Sequence, residues 1–389
     1  MSYRLADRVR TVLPALLLAA ATAACVETDD PVDTTAEELL IPPLRLTFAG
    51  DAGGDDGCNA IAARADGSFV VTGELGRLVQ GHNAVTRAYS ATGALQWSRE
   101  VNTPSEGHDQ GNDVLALADD TAITAGHWLS GASGYNYFLQ RIAAGAQLWW
   151  RESALPGHDR YLGVAIDSAG SLYAVGQRSD GGGGGAAWVR KLAADGETLL
   201  WEDVRDGTSA SGADVANKVA VDPNDEVYVV GYVDNTATGT GRDGYISKFK
   251  PNGTWVSRTW LWTNANDEAL DVAAGAGGAI AVVAKLDAAG SVRKYAGTGA
   301  LAWATTDPSI SWRGVAMDAS GDVYATGVLG TSMVTRRHDG ATGATVWTRT
   351  QTSATGESVA IDGSGRVLVC GSAPASDGGT DGLIIRYTL

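Results

Sequence analysis

The chain is short of cysteine, of positive charge and of catalytic signatures, and each shortage removes a class of protein. Its 389 residues hold only three cysteines, Cys25, Cys58 and Cys370. Lys and Arg number 29 against 45 Asp and Glu, for a net charge of −16. Such an acidic chain repels phosphate backbones, so no nucleic-acid partner is expected. Beyond the leader, no run is apolar enough to span a bilayer. There is no Gly-x-Ser-x-Gly elbow and no His-Glu-x-x-His. The glycine run 181–185 lies between two strands, not before a helix, so it does not cradle phosphate. Phe is scarce at 4 residues while Trp reaches 12, an imbalance that a repeated Trp motif explains.

The N-terminus is a targeting segment. Arg4, Arg8 and Arg10 precede a short apolar stretch, Val12 to Ala21, and then Thr22-Ala23-Ala24-Cys25. This resembles a bacterial lipoprotein signal, residues 1–24, which implies acylation of Cys25 as the new first residue. Ordinary cleavage after Ala23 or Ala24, with Cys25 incidental, is the alternative. Residues 25–43 are acidic and rich in Thr and Pro, so they read as a flexible tether. Val26 after Cys25 favours the outer membrane over inner-membrane retention.

From residue 44 onward one pattern recurs seven times: an apolar strand, a tight turn, then an alternating apolar run ending in Gly. The clear copies are Val164-Ala-Ile-Asp167 to Gly176, Val219-Ala-Val-Asp222 to Gly231, Val315-Ala-Met-Asp318 to Gly327 and Val359-Ala-Ile-Asp362 to Gly371. Weaker copies start at Ile61, Val114 and Val272, the last with Ala284 in place of the closing Gly. The Asp-x-x-Gly turns use Asp to accept backbone N–H groups and Gly for the left-handed conformation. They lack the dense acidic spacing of a calcium loop. A strand with a basic residue and a Trp-centred strand complete each unit. Four strands per repeat predict an all-β, seven-bladed β-propeller over 44–389, with four antiparallel strands per blade. The seventh copy stops one strand short, and Leu44–Phe48 is one strand too many at the other end. The N-terminal strand is therefore expected to complete the last blade and close the ring, removing open sheet edges.

Tyr161 to Gly176 resembles the bacterial SBBP-type propeller repeat. Thr92-Gly93-Ala-Leu-Gln-Trp97 and Thr342-Gly343-Ala-Thr-Val-Trp347 are similar to the tryptophan-docking motif of PQQ-like, quinoprotein-type propellers. Both resemblances imply a fold and neither implies an activity.

Overlaying the copies gives two residue series. Arg87, Arg141, Lys191, Lys248, Lys294, Arg337 and Arg386 share the third-strand position in that overlay, and are read as charges pairing within each blade. Asp56, Asp109, Asp159, Asp214 and Asp267 lie five residues before an inner strand's first apolar residue, with Ile310 and Ala354 in copies six and seven. These loops are the candidate ligand face. The carboxylates either attract a cation or basic peptide, or cap their own loops. His108 and His158 occupy equivalent loops, so a shared two-histidine metal site is weighed against simple repeat copying; no metal is assigned. Cys58 and Cys370 end on one face across the ring seam, as a disulfide or as two buried thiols.

These observations favour a non-catalytic cell-envelope module that binds or scaffolds a protein, peptide or glycan partner. No cofactor is expected, the only membrane contact is the lipid anchor, and the chain is expected to be a monomer. The alternatives are an outer-membrane-assembly lipoprotein propeller and a quinoprotein-like or lyase-like enzyme. Copies five to seven, where the repeat breaks, are the places to look for function.

Overall fold

The computed structural model describes residues 44–387 except 52, 79–80, 104–106, 131–133, 153–156, 180–183, 207–211 and 236–240. The leader, Cys25, the tether and most of the glycine run lie outside the described residues.

Seven four-stranded antiparallel sheets form seven blades. The inner strands are Gly57–Ala63, Gln110–Ala116, Arg160–Ile166, Val215–Val221, Glu268–Ala274, Ile310–Met317 and Thr355–Ile361, for blades 1 to 7. Each inner strand touches those of the two neighbouring blades, blade 7 meeting blade 1, so the ring is closed. Blade 3 shows the plan: Arg160–Ile166, Leu172–Ser179, Gly185–Leu192 and Leu199–Arg205 pair in sequence order. The β-branched and aromatic residues of each second strand bury both faces between neighbouring blades, as Val227, Val229 and Val230 do in blade 4.

Blade 7 takes its outer strand from the other end of the chain. Leu44–Phe48 pairs antiparallel with Thr380–Tyr387, from Leu44 opposite Arg386 to Phe48 opposite Gly382. Phe48 is buried, which contributes about 2–3 kcal/mol to closure. Gly382 is required there, because a Cβ would lie 2.3 Å from the Phe48 ring.

Every inner strand carries a bulge opposite the closing position, Gly in six blades and Ala284 in blade 5, for example between Tyr161 and Gly163. A Cβ on Gly176 would sit 1.8 Å from the Arg160 carbonyl oxygen, and the other five closing glycines meet the same obstacle at 1.9–2.2 Å. This is why the repeat ends in Gly.

Neighbouring blades are joined by the Trp-centred outer strands. Trp149, Trp201 and Trp303 each lie against the turn glycine of the next blade, Gly196, Gly253 and Gly343. The indole N–H of Trp201 donates to Pro251 O at 3.0 Å and that of Trp303 to Gly340 O at 3.1 Å. Leu44 takes the Trp place in blade 7, against Gly93.

The register corrects the basic series. Lys191, Lys248, Lys294, Arg337, Arg386 and Arg141 all lie three residues after the partner of the closing position, but in blade 1 that place is Ala88. Arg87 is one residue earlier, faces the other way, and lies over the Phe48 ring at 4.8 Å. The six others are structural: Lys191 pairs with Asp167 at 2.8 Å and also donates to Pro251 O of blade 4. Arg337 pairs with Asp322 at 2.7 Å, and Lys294 donates to Gly321 O and Gly340 O of blade 6.

Candidate functional site

Asp56, Asp109, Asp159, Asp214 and Asp267 are each 0–3% exposed. Each side chain accepts from the backbone N–H twenty residues later, at the end of the second strand: Gly76 at 2.6 Å, Leu129 at 3.3 Å, Ser179 at 2.8 Å, Asp234 at 2.6 Å and Asp287 at 2.9 Å. Each backbone N–H in turn donates to the preceding blade, to Thr380, His82, Tyr135, Gly185 and Arg242 O respectively. The geometry is that of a carboxylate capping its own blade while its backbone joins the previous one. Burial pushes the carboxyls of Asp56, Asp109 and Asp159 above the usual range.

The same geometry explains the two missing members. In blade 7 the residue twenty after Ala354 is Pro374, which has no N–H to offer. In blade 6 the second and third strands are joined by the tight turn Gly330-Thr331, and the place of the Asp is taken by buried Ile310. Short loops at blades 5 and 6 leave a notch of about 310 Å³ on this side of the ring. It is walled by Ala284, Ile310, Trp312 and Val328, with Lys285 at its rim. Two of the repeat's irregular positions, 284 and 310, therefore meet in one place.

The structure separates the two loop histidines and assembles a different group. His158 lies against Tyr135, with ring centroids 5.4 Å apart. His108 instead stacks on His82, at 3.9 Å and 13° between planes. Glu74 Oε2 lies 3.4 Å from Nδ1 of both histidines. Burial raises the Glu74 carboxyl and lowers His108. Equivalence by repeat pairs His108 with His158; the fold gives each loop histidine a third-strand neighbour from the previous blade. A His at the start of the first blade's third strand, His82, was the available signal.

Cys58 and Cys370 meet across the seam as considered from sequence, but as free thiols. Cys370 Sγ donates to Cys58 O at 3.4 Å, and burial pushes its thiol well up.

Among the described residues, the most exposed large aromatic side chains lie elsewhere, on the outer edge of blade 4. Trp255, Trp260 and Trp262 are 50%, 44% and 63% exposed. Leu199, Leu200 and Val204 on the outer strand of blade 3 are exposed as well. The Arg205 guanidinium lies 6.0 Å from the Trp255 ring, and that of Arg258 lies 5.0 Å from Trp260.

No family model matches the chain, and no curated protein does. Solved structures show the same fold. The chain is 10% identical to U3-55K with a TM-score of 0.60, over 88% of this chain and 98% of that one. A chain of the mitotic checkpoint complex is 13% identical with a TM-score of 0.57, over 96% and 99%. The WD40 β-propeller domain of Doa1 is 11% identical with a TM-score of 0.53, over 88% and 97%.

Proposed function

We propose that the chain is a non-catalytic protein-binding propeller of the cell envelope, and that its partner docks on the outer edge of blade 4. The exposed trio Trp255, Trp260 and Trp262 carries this reading. Trp is the residue most enriched at the energetic centres of protein interfaces, and contiguous exposed apolar surface marks interaction sites. The strand that bears two of them, Trp255–Leu261, is the last of its sheet, so one side of its backbone is unpaired. An extended segment of a protein partner can add to that edge, with Trp rings supplying apolar area and Arg258 favouring an acidic residue in the segment.

Export and anchoring belong to the same proposal. The basic start, the short apolar stretch and Cys25 support a lipoprotein signal, with residues 26–43 spanning from membrane to propeller. The buried loop carboxylates are poor candidates for direct contact, since each already serves its own backbone. The chain is proposed to act as a monomer.

The test compares capture from envelope extract by the chain tagged in its tether with capture by a Trp260→Ser, Trp262→Ser double variant and by Leu95→Ser on blade 1. Loss of one protein set with the double variant alone is the expected result. Equal capture by all three sinks the blade 4 surface.

A further inference from the structure

The seam between blades 1 and 2 holds three ligand-type side chains, two of which keep a buried polar atom without a hydrogen-bond partner. Glu74 is on the second strand of blade 1, Phe69–Arg77, and His82 is on the third, Gly81–Tyr89. Glu74 pairs with Ala84 and Gly76 with His82, so Glu74 and His82 share a face. His108 belongs to the loop entering blade 2. It is fixed beside His82 by a parallel bridge, with His82 N donating to Gly107 O at 3.1 Å and Asp109 N donating to His82 O at 2.8 Å. Backbone bonds, not the side chains, therefore set the three in place.

Glu74 Oε2 and His82 Nδ1 are buried atoms with no hydrogen-bond partner. A buried carboxylate oxygen without a donor is costly, by about 1–3 kcal/mol or more, unless something else occupies that role. The two Nδ1 atoms each lie 3.4 Å from this oxygen, and all three donor atoms fall within 4.8 Å of one another. Ligands at about 2.0–2.1 Å in a tetrahedron are separated by about 3.3–3.4 Å. Two edges of this triangle already have that length.

We propose that Glu74, His82 and His108 form a binding site for a divalent transition metal, with zinc the best match to a two-nitrogen, one-carboxylate donor set. The site is open: His108 is half exposed, which leaves a fourth position to water or a ligand group. The near-parallel stack of the imidazoles sends their lone pairs side by side. Loading therefore requires the His108 ring to turn so that both Nδ1 atoms converge on the ion. The site is distinct from the blade 4 edge, and its failure or success leaves that reading untouched.

The probes are zinc and cobalt(II) added to the untagged, chelator-stripped full chain. The expected result is one ion bound per chain by calorimetry, a raised Tm, and visible cobalt absorption typical of four-coordination. His108→Ala and Glu74→Gln should each bind at least about tenfold more weakly. His158→Ala should bind as the parent does, because that histidine is remote from the group. His108 is a loop residue, so its variant is expected to fold; the Tm without metal verifies this. Absence of stoichiometric binding overturns the proposal, as does binding that survives both His108→Ala and Glu74→Gln.

Discussion

Replacing Asp56 by Ala tests whether the loop carboxylates are supports or ligands. Asp56 accepts from Gly50 N at 2.7 Å and Gly76 N at 2.6 Å, and is 3% exposed. The Ala variant leaves two backbone donors in a place that water reaches poorly, at about 1–3 kcal/mol each. Relief of the carboxylate's own desolvation offsets part of this, so a net loss of about 2–4 kcal/mol is expected. In a domain of this size that lowers Tm by about 3–6 °C. Asp56→Asn keeps one acceptor but turns its NH2 toward the other backbone donor, so it should fall between the parent and the Ala variant at neutral pH. The sign of the pH effect follows from the raised carboxyl. A folded pKa above the unfolded 3.8 means the native state binds the extra proton. The parent's stability from this group is thus greatest below 3.8, falls as pH rises through the folded value, and the parent should gain on Asp56→Asn under acid conditions. Thermal and urea unfolding of the three proteins across pH reads all of this. If the Ala variant unfolds with the parent, the carboxylate is not a support and the capping account is wrong.

Other positions give independent tests. Gly176→Ala places a Cβ 1.8 Å from Arg160 O, so a loss of about 3 kcal/mol or more in urea unfolding is expected, whereas Ala284→Gly in blade 5 removes no such clash and should cost under about 1 kcal/mol. Trp303→Ala loses the bond to Gly340 O and the packing on Gly343, and should destabilise by about 3 kcal/mol by the same measurement. Asp271, raised to about 6 by burial, binds a proton in the native state between pH about 3.8 and 6, so its stabilising contribution is present below that window and lost above it. Asp271→Asn gives up one of the two backbone bonds, to Val272 N or Val315 N, at every pH, so the expected signature is a shift in its favour relative to the parent of up to about 3 kcal/mol between pH 4 and pH 7.

The fold was legible because its determinants are local and repeated. The Asp-x-x-Gly turns, the closing Gly and the Trp strands each do one job at one register position, so most copies state it again. The missing strand in copy seven and the surplus Leu44–Phe48 were readable for the same reason: the deficit and the excess match. Residue type alone misplaced Arg87, because alternation along a strand puts neighbours on opposite faces and only the pairing with Val71 shows which. The site was less legible because its contacts run between blades. Glu74, His82 and His108 meet through a bridge from one blade to the next, which sequence overlay of equivalent positions cannot express. The Trp255 to Trp262 cluster lies on and just after a strand whose Trp-bearing copies elsewhere carry only buried or half-buried Trp, so the difference here became visible only through exposure.

Ring closure is tested most directly by amide hydrogen exchange on the whole chain. Leu44–Phe48 should show alternating slow amides, exchanging at rates like those of another outer strand, Leu199–Arg205, with Thr380–Tyr387 slow along its length. Rapid, uniform exchange across Leu44–Phe48, together with fast amides on the facing side of Thr380–Tyr387, would contradict a ring closed by its own N-terminal strand.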